Sequence, residues 1–221
     1  MKILEFIDDS HRSPFADWFG RLDPFAAAKV TIALARIEKG NLSHVKSVGS
    51  GVQEYRLDFG PGYRLYFGRD GETLIILLCG GTKRRQQADI DRAIENWVAY
   101  KHRKAQGART LMPLTRSFKD TVKARAARDP AFREALLTEA VESFLAGEID
   151  VGKTVLRDYI HATIGFERLA AETGSSTKSL MRMLSAAGNP TASNLFSILG
   201  TVQKEAGLRL TVTAGRSTAS S

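Results

Sequence analysis

Strands mixed with helices fill residues 1–104, and from residue 115 to about 207 only helical spacing follows. A chain of 221 residues that changes character in this way reads as two bodies of different class. The expected class is α+β: a small antiparallel sheet flanked by helices, joined to an all-α domain. The expected boundaries are 1–104 for the first domain, 105–114 for a linker, 115–213 for the second domain and 214–221 for a disordered tail. Gly107 and Pro113 fall in the basic stretch between the two, and both oppose a continuous helix.

Within the first domain, residues 2–8 read as a strand. Asp23-Pro24 opens a helix, with Asp as N-cap and Pro at the first helical position. Ala26, Val30, Ala33 and Ile37 continue it at 3.6 spacing, and Gly40 ends it. Strands are expected at 52–59 and 62–68, joined by Gly60-Pro61-Gly62. The run Leu74 to Cys79 is continuously apolar, as in a strand covered on both faces. A last helix over 87–102 sets Ile90, Ile94 and Trp97 on one side.

The hairpin carries the chemistry. With the turn centred on Pro61, Tyr55–Phe67, Leu57–Leu65 and Phe59–Tyr63 pair on one apolar face. Arg56–Tyr66 and Asp58–Arg64 pair on the other, beside Glu54. Two Arg, a Tyr and two carboxylates on rigid strands suit phosphodiester cleavage by an internal 2′-hydroxyl. That reaction needs charge stabilisation at phosphorus, a base for the 2′-OH and an acid for the leaving oxygen. Arginine meets phosphate with a planar fork. Lys83, Arg84 and Arg85 follow the third strand and can reach the same or neighbouring phosphates. No His lies on this face, so Tyr66, Glu54 or a Lys of lowered pKa remain as proton-transfer groups. The competing reading is a solvated face of surface ion pairs.

Bulk properties narrow the class further. Net charge is +8. It divides evenly: 17 Lys+Arg against 13 Asp+Glu in 1–104, and 15 against 11 in 105–221. Both halves can therefore favour a polyanion, nucleic acid being the commonest. Cys79 is the single cysteine, so no internal disulfide forms, and a reduced, buried thiol is expected. No apolar run approaches the roughly 20 residues of a membrane span. The N-terminus meets acidic residues too early for a signal peptide, and the expected location is the cytoplasm. His11, His44, His102 and His161 lack metal-ligand spacing, so neither metal nor cofactor is expected.

The second domain shows helices marked by Phe118, Val122 and Ala126; by Asp129-Pro130 with Phe132, Leu136, Ala140 and Phe144, ending at Gly147; and by Val155, Leu156, Tyr159 and Ile160. Phe166 to Leu184 then fits a helix-turn-helix. Gly174 falls at the turn, Ser176 is the second N-cap, and Leu169, Leu180 and Met183 form the core between the helices. Lys178 and Arg182 are four apart and share an exposed face. A helical bundle with no DNA role fits the same spacing. Residues 208–212 read as a short strand able to pair with its copy in a dimer.

Gly60-Pro-Gly-Tyr-Arg-Leu-Tyr-Phe-Gly68, followed by Leu77-Leu-Cys-Gly-Gly-Thr-Lys83 and Asp89-Ile90, resembles the RelE/HigB-like addiction module killer toxins over residues 1–102. The resemblance implies a small antiparallel sheet flanked by helices and ribosome-dependent mRNA cleavage. It implies catalytic roles for Arg56, Arg64 and Lys83, with Tyr66 and Tyr63 as further candidates, and RNA contacts from Arg84, Arg85 and Lys46. Thr173 to Thr191, then Leu195 to Val212, resembles the XRE-type antitoxins encoded beside such toxins. It implies a recognition helix on operator DNA with Ser176, Thr177, Lys178, Ser179 and Arg182 facing the groove. The expected whole is a toxin–antitoxin fusion whose partners are mRNA, the ribosome and operator DNA. Toxin and antitoxin would meet within one chain or by domain exchange in a homodimer, away from any membrane. The alternative is a DNA-binding transcriptional regulator whose toxin-like domain is inactive and mediates protein contacts.

Overall fold

The structure, a computed structural model, describes residues 1–107 and 113–213. Its elements in the first part are β1 (Lys2–Phe6), α1 (Pro14–Arg21), α2 (Pro24–Glu38), β2 (Val45–Gly49), β3 (Val52–Leu57), β4 (Tyr63–Asp70), β5 (Leu74–Thr82) and α3 (Gln86–Ala105). There follow β6 (Thr115–Ser117), α4 (Phe118–Arg128), α5 (Pro130–Leu145), α6 (Ile149–Ala162), α7 (Gly165–Thr173), α8 (Thr177–Met183) and α9 (Ala192–Ala206). The class is mixed α+β, with a six-stranded sheet in the order β2-β3-β4-β5-β1-β6. All neighbours are antiparallel except β1 and β5, which run parallel.

Neighbouring glycines show which helix covers which face. A Cβ on Gly80 would run into the Trp18 ring of α1, and one on Gly81 into the Asp89 carboxyl of α3. Adjacent strand residues point to opposite faces, so α1 lies under one side of β5 and α3 over the other. Gly68 admits the Trp97 ring of α3 in the same way, a Cβ there lying 2.5 Å from the ring. β4 and β5 are buried almost throughout, which matches the unbroken apolar run of β5.

The hairpin register differs from expectation by two residues. Glu54 pairs with Tyr66, Tyr55 with Leu65, Arg56 with Arg64 and Leu57 with Tyr63. The turn is the reason. The Gly62 N–H bonds the Phe59 carbonyl at 3.0 Å, so Gly60 and Pro61 form the corners and residues 58–62 leave the ladder. Gly60 and Gly62 both take positive φ, at 56° and 73°, which an L side chain adopts poorly. A shift of two keeps every side chain on its expected face. Arg56 consequently meets Arg64, and Asp58 is left exposed in the loop.

Compactness divides the chain at Thr163/Ile164, not at the 105–114 join expected from the sequence. β6 pairs antiparallel with β1, Glu5 opposite Arg116, and closes that edge of the sheet. Fully buried Glu5 accepts from Arg116 Nε at 2.8 Å. α5 and α6 pack on α2, whose 15 residues include ten that are buried, so an apolar helix has neighbours on nearly every side. The margin carries ion pairs: Lys29 Nζ to Glu139 at 2.6 Å, and Arg36 forked onto Glu148 with Nη2 at 2.8 Å. Arg125 of α4 is the central anchor. Its Nη1 bonds the Phe19 carbonyl and its Nη2 the Leu22 carbonyl at 2.6 Å, covering the open C-terminal end of α1. The same guanidinium lies 5.3 Å from the Phe19 ring centroid and 5.0 Å from that of Phe132.

The second unit, from Ile164, holds α7, α8 and α9. α7 ends on Gly174 at φ 67°, and Ser176 Oγ accepts the Ser179 N–H at 3.2 Å, starting α8. Residues 208–213 pair with no strand among the described residues of the chain. Gln203 holds the segment against α9 instead, its carbonyl bonding the Leu208 N–H and its Oε1 the Leu210 N–H at 2.8 Å. The expected tail, residues 214–221, and residues 108–112 of the expected linker lie outside the described residues.

Candidate functional site

The residues singled out on the hairpin separate into a buried network and an exposed rim. Glu54 sits in β3 at 1% exposure, and Oε1 accepts both the Tyr66 hydroxyl at 3.2 Å and Gln86 Nε2 at 2.8 Å. Arg64 Nε lies 3.5 Å from the same oxygen without hydrogen-bond geometry, and Nη1 donates to the Tyr63 carbonyl at 3.3 Å. One carboxylate thus orients an arginine, a tyrosine and a glutamine. Gln86 opens α3, which covers this face of the sheet. The covering is what the sequence did not reveal, and with it the role of Gln86: neither follows from spacing within the hairpin.

Toward solvent stand Arg56, Lys83, Arg84 and Arg85, all exposed. Arg56 lies directly across from Arg64 in the ladder. Lys83 follows β5 in a short 3-10 turn, and its N–H bonds the Gly62 carbonyl at 2.9 Å. Gly62 lies between the groups: a Cβ there would be 3.5 Å from Lys83 Cβ and 3.8 Å from Arg64 Nη1. The fold therefore assembles Arg56, Arg64 and Lys83 at the turn end of the hairpin, from three strands. Lys46 is exposed on β2, opposite Glu54.

The two tyrosines part company. Tyr66 is fully buried, and burial, then the Glu54 charge and hydrogen bond, push its pKa well above the usual phenol range. Its phenol is therefore held neutral and away from solvent. Tyr63 points to the opposite face, where its ring meets Trp18 at 6.2 Å and Phe59 at 6.2 Å. Burial, followed by the charge of Asp23 and its hydrogen bond, raises its pKa. Tyr63 is not brought to the arginines.

Behind the network, Cys79 stands opposite Tyr66 and its thiol is pushed up to about 12, chiefly by burial and then by Asp89. It is an unreactive thiol. Burial also raises the Asp89 carboxyl, while Arg85, Arg92 and the Thr82 N–H pull it back. No group of His, Cys, Asp or Glu among the described residues is arranged to hold a metal ion.

In the second unit, Lys178 and Arg182 are exposed one turn apart on α8, as is Ser176 at its cap. Thr177 and Ser179 are half-buried at the start of the helix, and Ser179 spends its backbone N–H on the Ser176 cap. Leu169 and Leu180 are buried, and Met183 is half-buried. No helix among the described residues is long and apolar enough to cross a membrane.

No family model and no solved structure matches the chain. An uncharacterised protein of Haemophilus influenzae is 41% identical over 80 residues, which make up 36% of this chain and 81% of that protein. Over that stretch, the chain belongs to the family of the Haemophilus protein.

Proposed function

We propose that the chain is a toxin–antitoxin fusion, in which the hairpin domain is a metal-independent mRNA interferase. The observation that carries this reading is the pairing of Arg56 with Arg64, backed by Lys83. Like charges placed directly opposite on adjacent strands destabilise a sheet. A phosphate between them would turn that repulsion into binding, and the charge gained at phosphorus in the transition state would strengthen it. Glu54, held by Gln86 and Tyr66, positions Arg64. Residues 115–162, clasped onto α1, α2 and β1, would act as the neutralising part of the same chain. The α7–α8 pair, with Lys178 and Arg182 outward, would be the helix-turn-helix that reads operator DNA.

One observation favours the second reading, a regulator with an inactive toxin-like domain. Glu54 and Tyr66 are both buried, so neither is exposed to take a proton from a 2′-hydroxyl.

The two are separated by expressing residues 1–107 with 113–221 on a second polypeptide, then depleting the latter and mapping mRNA 5′ ends. The interferase predicts growth arrest and new 5′ ends that vanish in Arg56→Ala and Arg64→Ala. A folded 1–107 fragment that neither arrests growth nor creates new ends would select the regulator.

A further inference from the structure

An open cleft of about 370 Å³ lies beside the first unit's sheet, between the loop after β1, α1 and α3. Asp8, Arg12, Asp17, Arg21, Arg92 and Asn96 line it. Its two carboxylates are already committed. Asp17 Oδ2 holds Arg12, with Nε at 3.1 Å and Nη2 closer, and Asp8 Oδ1 accepts the backbone N–H of Ser10 at 2.9 Å and of Arg12 at 3.0 Å. Asn96 is committed too, donating to the Leu78 carbonyl at 3.0 Å. Arg21 and Arg92 remain, both exposed and both without a hydrogen bond or ion pair among the described residues. Two guanidinium groups whose N–H donors are uncommitted, facing one cleft, are a ready fork for phosphate oxygens.

The cleft shares α3 with the candidate site: Gln86 opens the helix beside Glu54, and Arg92 and Asn96 line the cleft. Asp89, Arg92 and Asn96 follow at steps of three and four along α3, so they share one face of the helix. Arg85 caps the N-terminal end of α3, and Gln86 and Arg92 are six residues apart, about 9 Å along the axis. A strand of phosphodiesters with one phosphate at the Arg56–Arg64 pair can therefore pass Arg85 and reach Arg92 and Arg21. A single small anion would use the cleft but not this track, whereas a single-stranded nucleic acid uses both.

Resting on the reading of the first unit as an RNA-acting domain, we propose that Arg21 and Arg92 form a second phosphate subsite, which binds the RNA strand a few nucleotides from the scissile bond. Asp17 keeps Arg12 at the rim, and the subsite supplies affinity and register, not chemistry.

The test uses the full chain and a 2′-O-methyl RNA of about 12 nucleotides, which binds without being cut. Affinity is read by fluorescence anisotropy between about 50 and 300 mM salt. Loss of two phosphate contacts in Arg21→Gln/Arg92→Gln is expected to lower affinity by roughly tenfold and the salt slope by about 1.4, at 0.7 per contact on a single strand. Arg21→Lys/Arg92→Lys keeps both charges and is expected to retain most of the slope; it carries the comparison if the Gln pair melts early. Unchanged affinity and slope in a folded Gln pair would overturn the subsite. So would a parent chain that fails to bind the RNA, or binding lost only through Lys178→Gln/Arg182→Gln. Cleavage is scored separately on unmodified RNA: binding through Arg21 and Arg92 with no cleavage at all would remove the nuclease and leave the subsite standing.

Discussion

Replacing Arg125 by Leu tests how residues 115–162 are held to the preceding part of the chain. Arg125 is 4% exposed and reaches from α4 to the end of α1. There it bonds the Phe19 and Leu22 carbonyls, with Nε 3.2 Å from Asp129 Oδ2. Its guanidinium also packs against both the Phe19 and Phe132 rings. Leu fills much of the volume but leaves the Leu22 carbonyl without a donor, at about 1–3 kcal/mol, and the Phe19 carbonyl with only the Leu22 N–H at 3.3 Å. The two cation–π contacts are worth about 0.5–1 kcal/mol each. Arg125 itself is taken out of water, and burial lowers its pKa, so part of that loss is returned. The net expectation is about 3–5 kcal/mol. For a unit of this size, that lowers Tm by roughly 6–20 °C, at about 2–4 °C per kcal/mol. Circular dichroism melts give the shift, and amide exchange shows whether α1 and α4 loosen together. A fall of less than about 2 °C, under 1 kcal/mol, would refute Arg125 as the anchor and leave the apolar packing of α2 to hold the segment alone.

Two further outcomes follow from local geometry. Gly68→Ala sets a Cβ into the Trp97 ring and is expected to destabilise by about 1–3 kcal/mol, measured by urea unfolding, whereas Gly71→Ala meets no atom and tests only the cost of its positive φ. The Asp70 carboxyl is held below its usual range, first by its hydrogen bond to Lys104, with Nζ 2.5 Å away, and then by the Tyr100 hydroxyl at 2.6 Å. A depressed carboxylate contributes stability above its unfolded pKa, near 3.9, that disappears as pH falls through the lower folded value. The stability gap between the parent and Asp70→Asn is therefore expected to be full at neutral pH and to close below about pH 4. A gap that stays constant to strongly acid pH would count against the pairing.

Local chemistry was legible in the residues themselves. Asp23-Pro24 and Asp129-Pro130 start α2 and α5 as read, each Asp accepting a hydrogen bond from the first turn. Ser176 caps α8 in the same manner. Ser13-Pro14 carries the identical signal for α1, with Ser13 Oγ accepting from Ala16, but the helix has only eight residues, too few for a clear apolar period. Alternation in the hairpin assigned each residue its face correctly. It could not choose between registers two residues apart, because both leave that alternation intact. The turn decided, through one Gly62–Phe59 hydrogen bond, and with it whether Arg64 meets Asp58 or Arg56.

What only tertiary structure decided is what each face packs against. The polar side of the hairpin looked open from its sequence, yet α3 covers it, burying Glu54 and Tyr66 while leaving Arg56 at the edge. The break in pattern at 105–114 looked like a domain boundary, yet the compact division falls at Thr163/Ile164. Period and capping are properties of neighbours along the chain, so the sequence alone determined the long helices, the hairpin strands and the charges they carry, whereas the short β2 and β6 depend on the strands they pair with. Burial depends on contacts such as Arg125 with Phe19 and Arg36 with Glu148, more than a hundred residues apart. Such pairings are set by which apolar surfaces find one another when the chain closes, and no local period records them.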